Sequence, residues 1–420
     1  MACGGIAAMA ASAAMGQLTF HGAPPPSDYG DNIGDNLGGD VITPEAEGIA
    51  DAGLGLFSKI PFAMNFAIRE GFDSNVFTTR TDPISSFYTN FAAGTNYNFG
   101  SSRLKLASSL GGGVTYYYSR PGDKIDWTGS FALSATYLAT PRLALSIATN
   151  TAYLSQPDLT IAGGTNRQDG DYLYSNTSLA ATYQWSDIIS TVTGYNLTVF
   201  YYVDENLNDN QGRISQTVSQ SVNWLWKPKT TLLTEYRINP VTYFQADLDQ
   251  LGNFFLVGFD QVFNPKAFWN FRVGAQLNFN NNQTDGSSIY VGPYMESTLR
   301  YQFGPASSLS WNMRYGTEAS GLNDVTQRQT FRTGLILSHS FTPRLAANMA
   351  LNYQCNYYDQ ANVITSFFEN IIDVSVGLTF KINRTISLQA GYQYIIDIAP
   401  EAIEREYNRN VAFVGANFSF

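Results

Sequence analysis

From about residue 60 onward the chain alternates apolar and polar residues with a period of two, segment after segment. Ala267, Trp269, Phe271, Val273, Ala275, Leu277 and Phe279 fall on one side of such a segment; Phe268, Asn270, Arg272, Gly274, Gln276 and Asn278 fall on the other. Leu345 to Tyr357 repeats the pattern, with Asn348, Asn352, Gln354 and Asn356 on the polar side. So does Ile372 to Lys381, with Asp373, Ser375, Gly377, Thr379 and Lys381 opposite Ile372, Val374, Val376, Leu378 and Phe380. A period of two belongs to a β-strand whose faces meet different media.

Tight turns punctuate these strands near Gly100-Ser101, Thr140-Pro141, Ser186-Asp187, Lys227-Pro228, Asn264-Pro265, Gly304-Pro305, Thr342-Pro343 and Asn383-Arg384. Longer polar connections lie between them, such as 156–171, 204–213, 280–287, 320–326 and 398–408. Short turns on one side and longer loops on the other are the asymmetry of an outer-membrane barrel. Eight turns and nine loops predict eighteen strands, the first beginning near Phe62; a miscount of one hairpin would give sixteen. The predicted fold class is all-β, a transmembrane antiparallel up-and-down β-barrel.

Composition narrows the alternatives. Only 14% of residues are charged, against roughly 25% in soluble domains, and a soluble sheet would carry charge on its outer face. The net charge of −10 excludes nucleic acid as a partner, because phosphate binding needs a basic surface. No run of about 18 apolar residues occurs past the N-terminus, which excludes helical membrane spans. A propeller would show four strands and a repeated motif per period of about 40 residues; here there are two strands and no such motif. The chain has two Cys, Cys3 and Cys355, and two His, His21 and His339, so neither a disulfide within the mature chain nor a His-based catalytic or zinc constellation is expected. The acidic stretch with Asp204, Glu205 and Asp209 lacks the glycine spacing of a calcium loop. No enzyme activity, metal or cofactor is expected.

Residues 1–16 contain no charged residue and a short Ala/Met core, with Ala14-Met15-Gly16 supplying small residues before Gln17. This predicts a signal peptide, although its basic start is missing. Residues 17–58 run through Pro24-Pro25-Pro26, Asp28, Asp31, Asp35, Asp40, Glu45 and Glu47, a composition that reads as a flexible acidic periplasmic arm, either solvated or placed to plug a lumen. Residues 59–420 are assigned to the barrel. Aromatic runs at strand ends, Tyr116-Tyr117-Tyr118, Tyr201-Tyr202, Trp224 with Trp226, and Tyr357-Tyr358, are placed in girdles at the membrane interfaces.

The chain ends Gly415-Ala416-Asn417-Phe418-Ser419-Phe420. This resembles the β-signal of bacterial outer-membrane proteins, with Gly415, Phe418 and Phe420 at the matching places. The resemblance implies recognition by the barrel assembly machinery and location in the cell outer membrane. Near the first strand, Gly71-Phe72-Asp73-Ser74-Asn75-Val76-Phe77 resembles an element of a group of outer-membrane β-barrel porins, some encoded with exopolysaccharide-export genes. That group often has Tyr at the second and Asp at the fourth position, where this chain has Phe72 and Ser74. The residues themselves read as a strand-to-loop corner in which Asp73 and Asn75 cap backbone amides.

If the apolar faces meet lipid, Glu235, Arg237, Arg272, Glu296, Arg300, Arg314, Arg332, Asp373 and Lys381 are predicted to point into the lumen, since an outward Arg or Lys at the midplane costs roughly 2–4 kcal/mol. Five of them are arginines on one wall, either a basic stripe that favours anions or one half of a set of cross-strand ion pairs, with Arg272 expected opposite Glu296. Tyr88, Tyr290 and Tyr294 also point inward and offer stacking faces for sugars. The expected function is a porin-like channel passing small hydrophilic solutes. The alternatives are a barrel exporting exopolysaccharide with periplasmic partners and a plugged structural barrel. Outer-membrane lipid is the expected surroundings, and no sequence feature fixes an oligomeric state.

Overall fold

The computed structural model describes residues 62–155, 158–161, 164–167, 170–246, 248–282, 286–322, 325–358 and 366–420. The signal-peptide and acidic-arm assignments lie outside these residues. Twenty strands follow in chain order: β1 (Phe62–Asp73), β2 (Ser86–Gly100), β3 (Leu104–Tyr117), β4 (Ile125–Thr140), β5 (Leu143–Leu154), β6 (Asp158–Ile161), β7 (Gly164–Arg167), β8 (Tyr172–Gln184), β9 (Ile189–Tyr202) and β10 (Arg213–Lys227) make the first half. The second half holds β11 (Thr230–Tyr243), β12 (Gln250–Asn264), β13 (Ala267–Asn282), β14 (Gly286–Gln302), β15 (Ser307–Leu322), β16 (Val325–Ser340), β17 (Leu345–Tyr358), β18 (Phe367–Lys381), β19 (Ile386–Ile398) and β20 (Tyr407–Ser419). Eighteen of them, all but β6 and β7, form one antiparallel sheet in which each pairs with its neighbours in sequence. β1 pairs with both β2 and β20, so the sheet closes into a barrel of the expected strand number.

Alternation sorts the side chains. On β12, Phe255 and Val257 are each 55% exposed while Phe254 and Leu256 are each 2% exposed. On β1, Phe62, Met64, Phe66 and Ile68 are exposed while Asn65, Ala67, Arg69 and Asp73 are buried. The outward face is therefore apolar, and the inward face carries the polar and charged side chains together with some enclosed apolar ones such as Phe254 and Leu256, the arrangement of a barrel in lipid. The same rule splits the aromatic runs. Tyr116, Tyr118, Tyr201, Trp224 and Trp226 point out and are exposed, whereas Tyr117, Tyr202 and Tyr358 are buried on the inside. In consecutive runs only alternate residues therefore belong to a girdle, because adjacent residues cannot share a face, while Trp224 and Trp226, two apart, both do.

The eight tight turns occur where the sequence places them, and a side-chain cap shapes most of them. Thr140 Oγ1 accepts from the amides of Arg142 and Leu143, Thr342 Oγ1 from those of Arg344 and Leu345, and Asn383 Oδ1 from those of Thr385 and Ile386. Short polar side chains favour such turns because they mimic a backbone acceptor.

At the opposite end, the chain between β5 and β8 forms a hairpin of β6 and β7. β7 lies against β16, β17 and β18, half the ring away from the strands that carry it, so this hairpin crosses the loop-side mouth. The acidic stretch after β9 is not a loop of metal ligands but a short helix, α1 (Glu205–Gln211), with Asp204 as its N-cap accepting from the Leu207 amide at 3.0 Å. Leu207 packs on Tyr172, Tyr174, Phe200 and Tyr202.

The corner after β1 is tied on several sides. Asp73 Oδ1 accepts from the Asn75 amide, and Asn75 Oδ1 from the Thr79 amide, as expected of a capped corner. Arg409 of β20 also clamps Asp73, at 2.6 Å. A Cβ at Gly71 would strike the Tyr88 ring and the Ala412 carbonyl, so this position excludes a side chain. At the seam, the Met64 and Phe420 backbones exchange bonds of 2.9 and 2.8 Å, the Phe418 backbone sits opposite Phe66, and a Cβ at Gly415 would meet the Ile68 carbonyl at 2.5 Å.

Val257 lies near the middle of β12 and points outward. Val257→Arg is expected to destabilise the barrel by about 2–4 kcal/mol, measured as urea unfolding in lipid vesicles, whereas Ser221→Arg, on the inward face of β10, is expected to cost less; equal losses at the two positions would contradict the assignment of faces.

Candidate functional site

The interior wall from β11 to β16 concentrates charge. β11 presents Glu235 and Arg237 inward, two residues apart on the same face, and β14 presents Tyr294 and Glu296. Although β12 and β13 stand between them, Arg237 reaches across: its Nη2 lies 2.6 Å from Glu296 Oε1 and its Nε 2.6 Å from Glu235 Oε1. Arg272 of β13 stands beside this pair, its Nε 3.1 Å from Glu235 Oε2 and its Nη1 3.6 Å from Glu296 Oε1. Register places Arg272 directly opposite Glu296. Tyr294 Oη donates to Glu296 Oε2 at 2.5 Å, and the edge of its ring packs against Phe254, with centroids 5.1 Å apart.

A second cluster adjoins the first. Arg314 of β15 lies over the Tyr294 ring, 5.5 Å from its centroid. Glu318, four residues further along β15 on the same face, gathers Arg314 at 3.5 Å, Arg328 at 3.8 Å and Arg332 in a direct ion pair. Arg328 donates to Tyr358 Oη at 3.1 Å, which donates to Glu369 of β18 at 2.9 Å. Glu369 finally pairs with Arg405 at 2.6 Å in the loop before β20. Burial opposes charge on Arg405, but the adjacent Glu369 carboxylate outweighs it and holds the guanidinium pKa above its usual value. The result is a continuous polar chain along one wall, from Glu235 to the loop-side rim.

The nine lumen candidates separate into three groups. Glu235, Arg237, Arg272 and Glu296 form the first cluster; Arg314 and Arg332 join the second. Arg300, Asp373 and Lys381 stand apart. Asp373 is buried and accepts from Gln393 at 3.1 Å. Arg300 and Lys381 are exposed near the tight turns, on the inward parity of β14 and β18. The arginines are thus not a bare stripe. Glu318, Arg328, Glu369 and Arg405 complete the network and are absent from the sequence-based set. Glu318 shares a face with Arg314 by simple alternation, a signal legible in the sequence. Arg409 with Asp73, at opposite ends of the chain, had no local signal. Tyr294 and Tyr88 are 0% and 6% exposed, too enclosed to serve as stacking platforms for sugars.

Among the described residues no group of His, Cys, Asp and Glu side chains is arranged to hold a metal ion.

Residues 271–420 match a family model described as Putative beta-barrel porin 2. No curated protein matches the chain. Solved structures similar to it include OccAB4 from Acinetobacter baumannii, at 12% identity and a TM-score of 0.44 over 86% of this chain and 98% of that one. The outer membrane protein opdK from Pseudomonas aeruginosa matches at 8% identity and 0.45, over 86% and 99%. OccK2 (OpdF) from the same organism, solved with glucuronate, matches at 9% and 0.46, over 86% and 98%. With a closed eighteen-stranded ring and an apolar outer face, the chain is a β-barrel of the outer membrane, similar over its C-terminal part, residues 271–420, to a porin family.

Proposed function

We propose that the barrel is a passive channel for small hydrophilic solutes, with a preference for anions along the β11–β16 wall. The observation that carries this reading is the inward charge of that wall. Among described side chains, Arg237, Arg272, Arg300, Arg314, Arg328 and Arg332 face Glu235, Asp260, Glu296 and Glu318, an excess of cationic groups. Eighteen strands enclose an aqueous lumen, whereas about eight would be filled by side chains. The β6–β7 hairpin narrows the loop-side mouth, so small solutes suit the passage better than a polymer. The lumen-lining role extends to Asp373 and Lys381 on β18. Gly415, Phe418 and Phe420 form the closing seam and act in this reading as the signal for the assembly machinery.

The ion clusters hold the wall in one shape. Removing one partner of a buried pair costs about 3–5 kcal/mol because it leaves the other charge uncompensated. Glu296→Gln, which abandons Arg237 and Arg272 together, is expected to lower stability by that amount in urea titrations; Tyr294→Phe, which deletes the bond to Glu296 and the longer one from Arg237, is expected to cost about 1.5–3 kcal/mol. A Glu296→Gln barrel as stable as its parent would remove the network from any structural role.

Purified protein in a planar bilayer is expected to give steady single-channel currents, with a reversal potential of chloride sign in a KCl gradient. Arg300 is exposed, and its replacement leaves the clusters intact. Arg300→Glu is expected to lower the chloride-to-potassium permeability ratio several-fold. Absence of conductance would favour a plugged barrel, and an unchanged ratio would sink the basic-wall reading.

A further inference from the structure

Six of the eight tight turns carry an exposed cation. Arg103, Arg142, Lys229, Lys266 and Arg344 each stand two residues after the first residue of the turn, and Arg384 one residue after Asn383. Ser101, Thr140, Asn264, Thr342 and Asn383 supply side-chain acceptors for the turn amides. Pro occupies the second turn position at Pro141, Pro228, Pro265 and Pro343. Turn chemistry accounts for the acceptor and the proline, but nothing in it requires the cation. No ion pair to a described carboxylate engages any of the six, and Lys229 bonds only the Phe263 carbonyl, at 3.2 Å. The one acid within these turns is Asp187. The periplasmic rim is therefore a ring of uncompensated positive charge, while the chain as a whole, with 24 Lys and Arg against 34 Asp and Glu, carries −10.

The chain supplies its own counterpart. Residues 17–58, which precede β1, contain seven Asp or Glu between Asp28 and Asp51 and no Lys or Arg. β1 begins at the rim: Phe62 is paired with Tyr97, close to the first tight turn. We propose that residues 17–58 dock on the periplasmic ring of this barrel, their carboxylates against the turn cations.

Reach and concentration agree with this. An extended chain spans at most about 3.4 Å per residue, so Asp51 reaches up to roughly 37 Å from Phe62 and Asp28 up to roughly 115 Å. Strands about 4.8 Å apart and tilted near 40° give an eighteen-stranded ring a circumference of about 110 Å and a diameter of about 36 Å. The segment can therefore meet any of the six turns. Tethering holds it at an effective concentration of about millimolar, well above what a free peptide would need for many weak contacts. The competing occupant is the anionic phospholipid headgroup layer, which also faces basic residues at a membrane surface; it lacks the tether, and the test removes it.

The full chain, with Cys3→Ser, Cys355→Ser and Gly39→Cys, is labelled with a nitroxide at residue 39 and reconstituted in zwitterionic lipid alone. Between about 20 mM and about 0.5 M NaCl the Debye length falls from roughly 20 Å to about 4 Å. Docking predicts a slow component in the electron spin resonance spectrum at low salt that drops several-fold at high salt. The same loss is expected at low salt when all six turn cations are changed to Gln. These side chains are exposed and outside every ion cluster, so that variant keeps the barrel, as checked by its heat-modifiable gel mobility. A label equally fast at both salt concentrations overturns the proposal, as does a slow component that survives the six-fold replacement. If the label is fast in zwitterionic lipid and the ring binds only anionic vesicles, the ring is a headgroup site and the proposal fails. The readout is independent of conduction, so a non-conducting barrel would leave it intact.

Discussion

Hydrocarbon offers no partner to a backbone N–H or C=O, and each one left unpaired costs several kcal/mol. A sheet can satisfy that demand only by having no edge. Closure between β1 and β20 is therefore the interaction on which everything else depends, and its details explain residues that otherwise look incidental. The last residue, Phe420, exchanges backbone bonds with Met64. Gly415 has no side chain because the β1 backbone occupies the space. Asp73 and Arg409 lock the outer end of the same seam, so the join between first and last strand is held at both ends.

Closure also decides sidedness. Once every strand is paired on both edges, the only freedom left to a residue is inward or outward, and a one-residue slip would exchange the two faces. Charge follows: it is placed inward, where it must then be compensated. On the β11–β16 wall compensation runs between neighbours, as between Arg272 and Glu296, and also skips strands, as when Arg237 spans β12 and β13 to reach Glu296. Buried ion pairs of this kind add little net stability compared with apolar packing, but they penalise any arrangement that breaks them. Tyr294, enclosed between Phe254 and the guanidiniums of Arg237 and Arg314, joins the two clusters into one rigid panel.

Much of this architecture is written locally in the chain. Strand number, turn positions and the facing of Arg272 or Asn352 depend on periods of two and on Thr-Pro or Asn-Pro pairs, which are properties of adjacent residues. What the sequence hides depends on register and curvature. The reach of Arg237 needs the shear between β11 and β14. The contact between Asp73 and Arg409 joins residues 336 apart. The Tyr116-Tyr117-Tyr118 run reads as one girdle until alternation is applied residue by residue. The acidic group at Asp204 resembles a ligand cluster, yet Asp204 is consumed as a helix cap. The β6–β7 hairpin that crosses the mouth has nothing in its sequence that names the far wall as its partner.

A near balance of charge is held here by groups of unlike capacity. A carboxylate only accepts hydrogen bonds, and those of Glu235, Glu296 and Glu318 are each engaged by more than one arginine. A guanidinium carries several N–H donors and no acceptor, so one arginine can serve two carboxylates at once, as Arg237 does with Glu235 and Glu296. Each acid therefore ties several arginines together and each arginine several acids, and this mutual bridging is what fixes the shape of the wall.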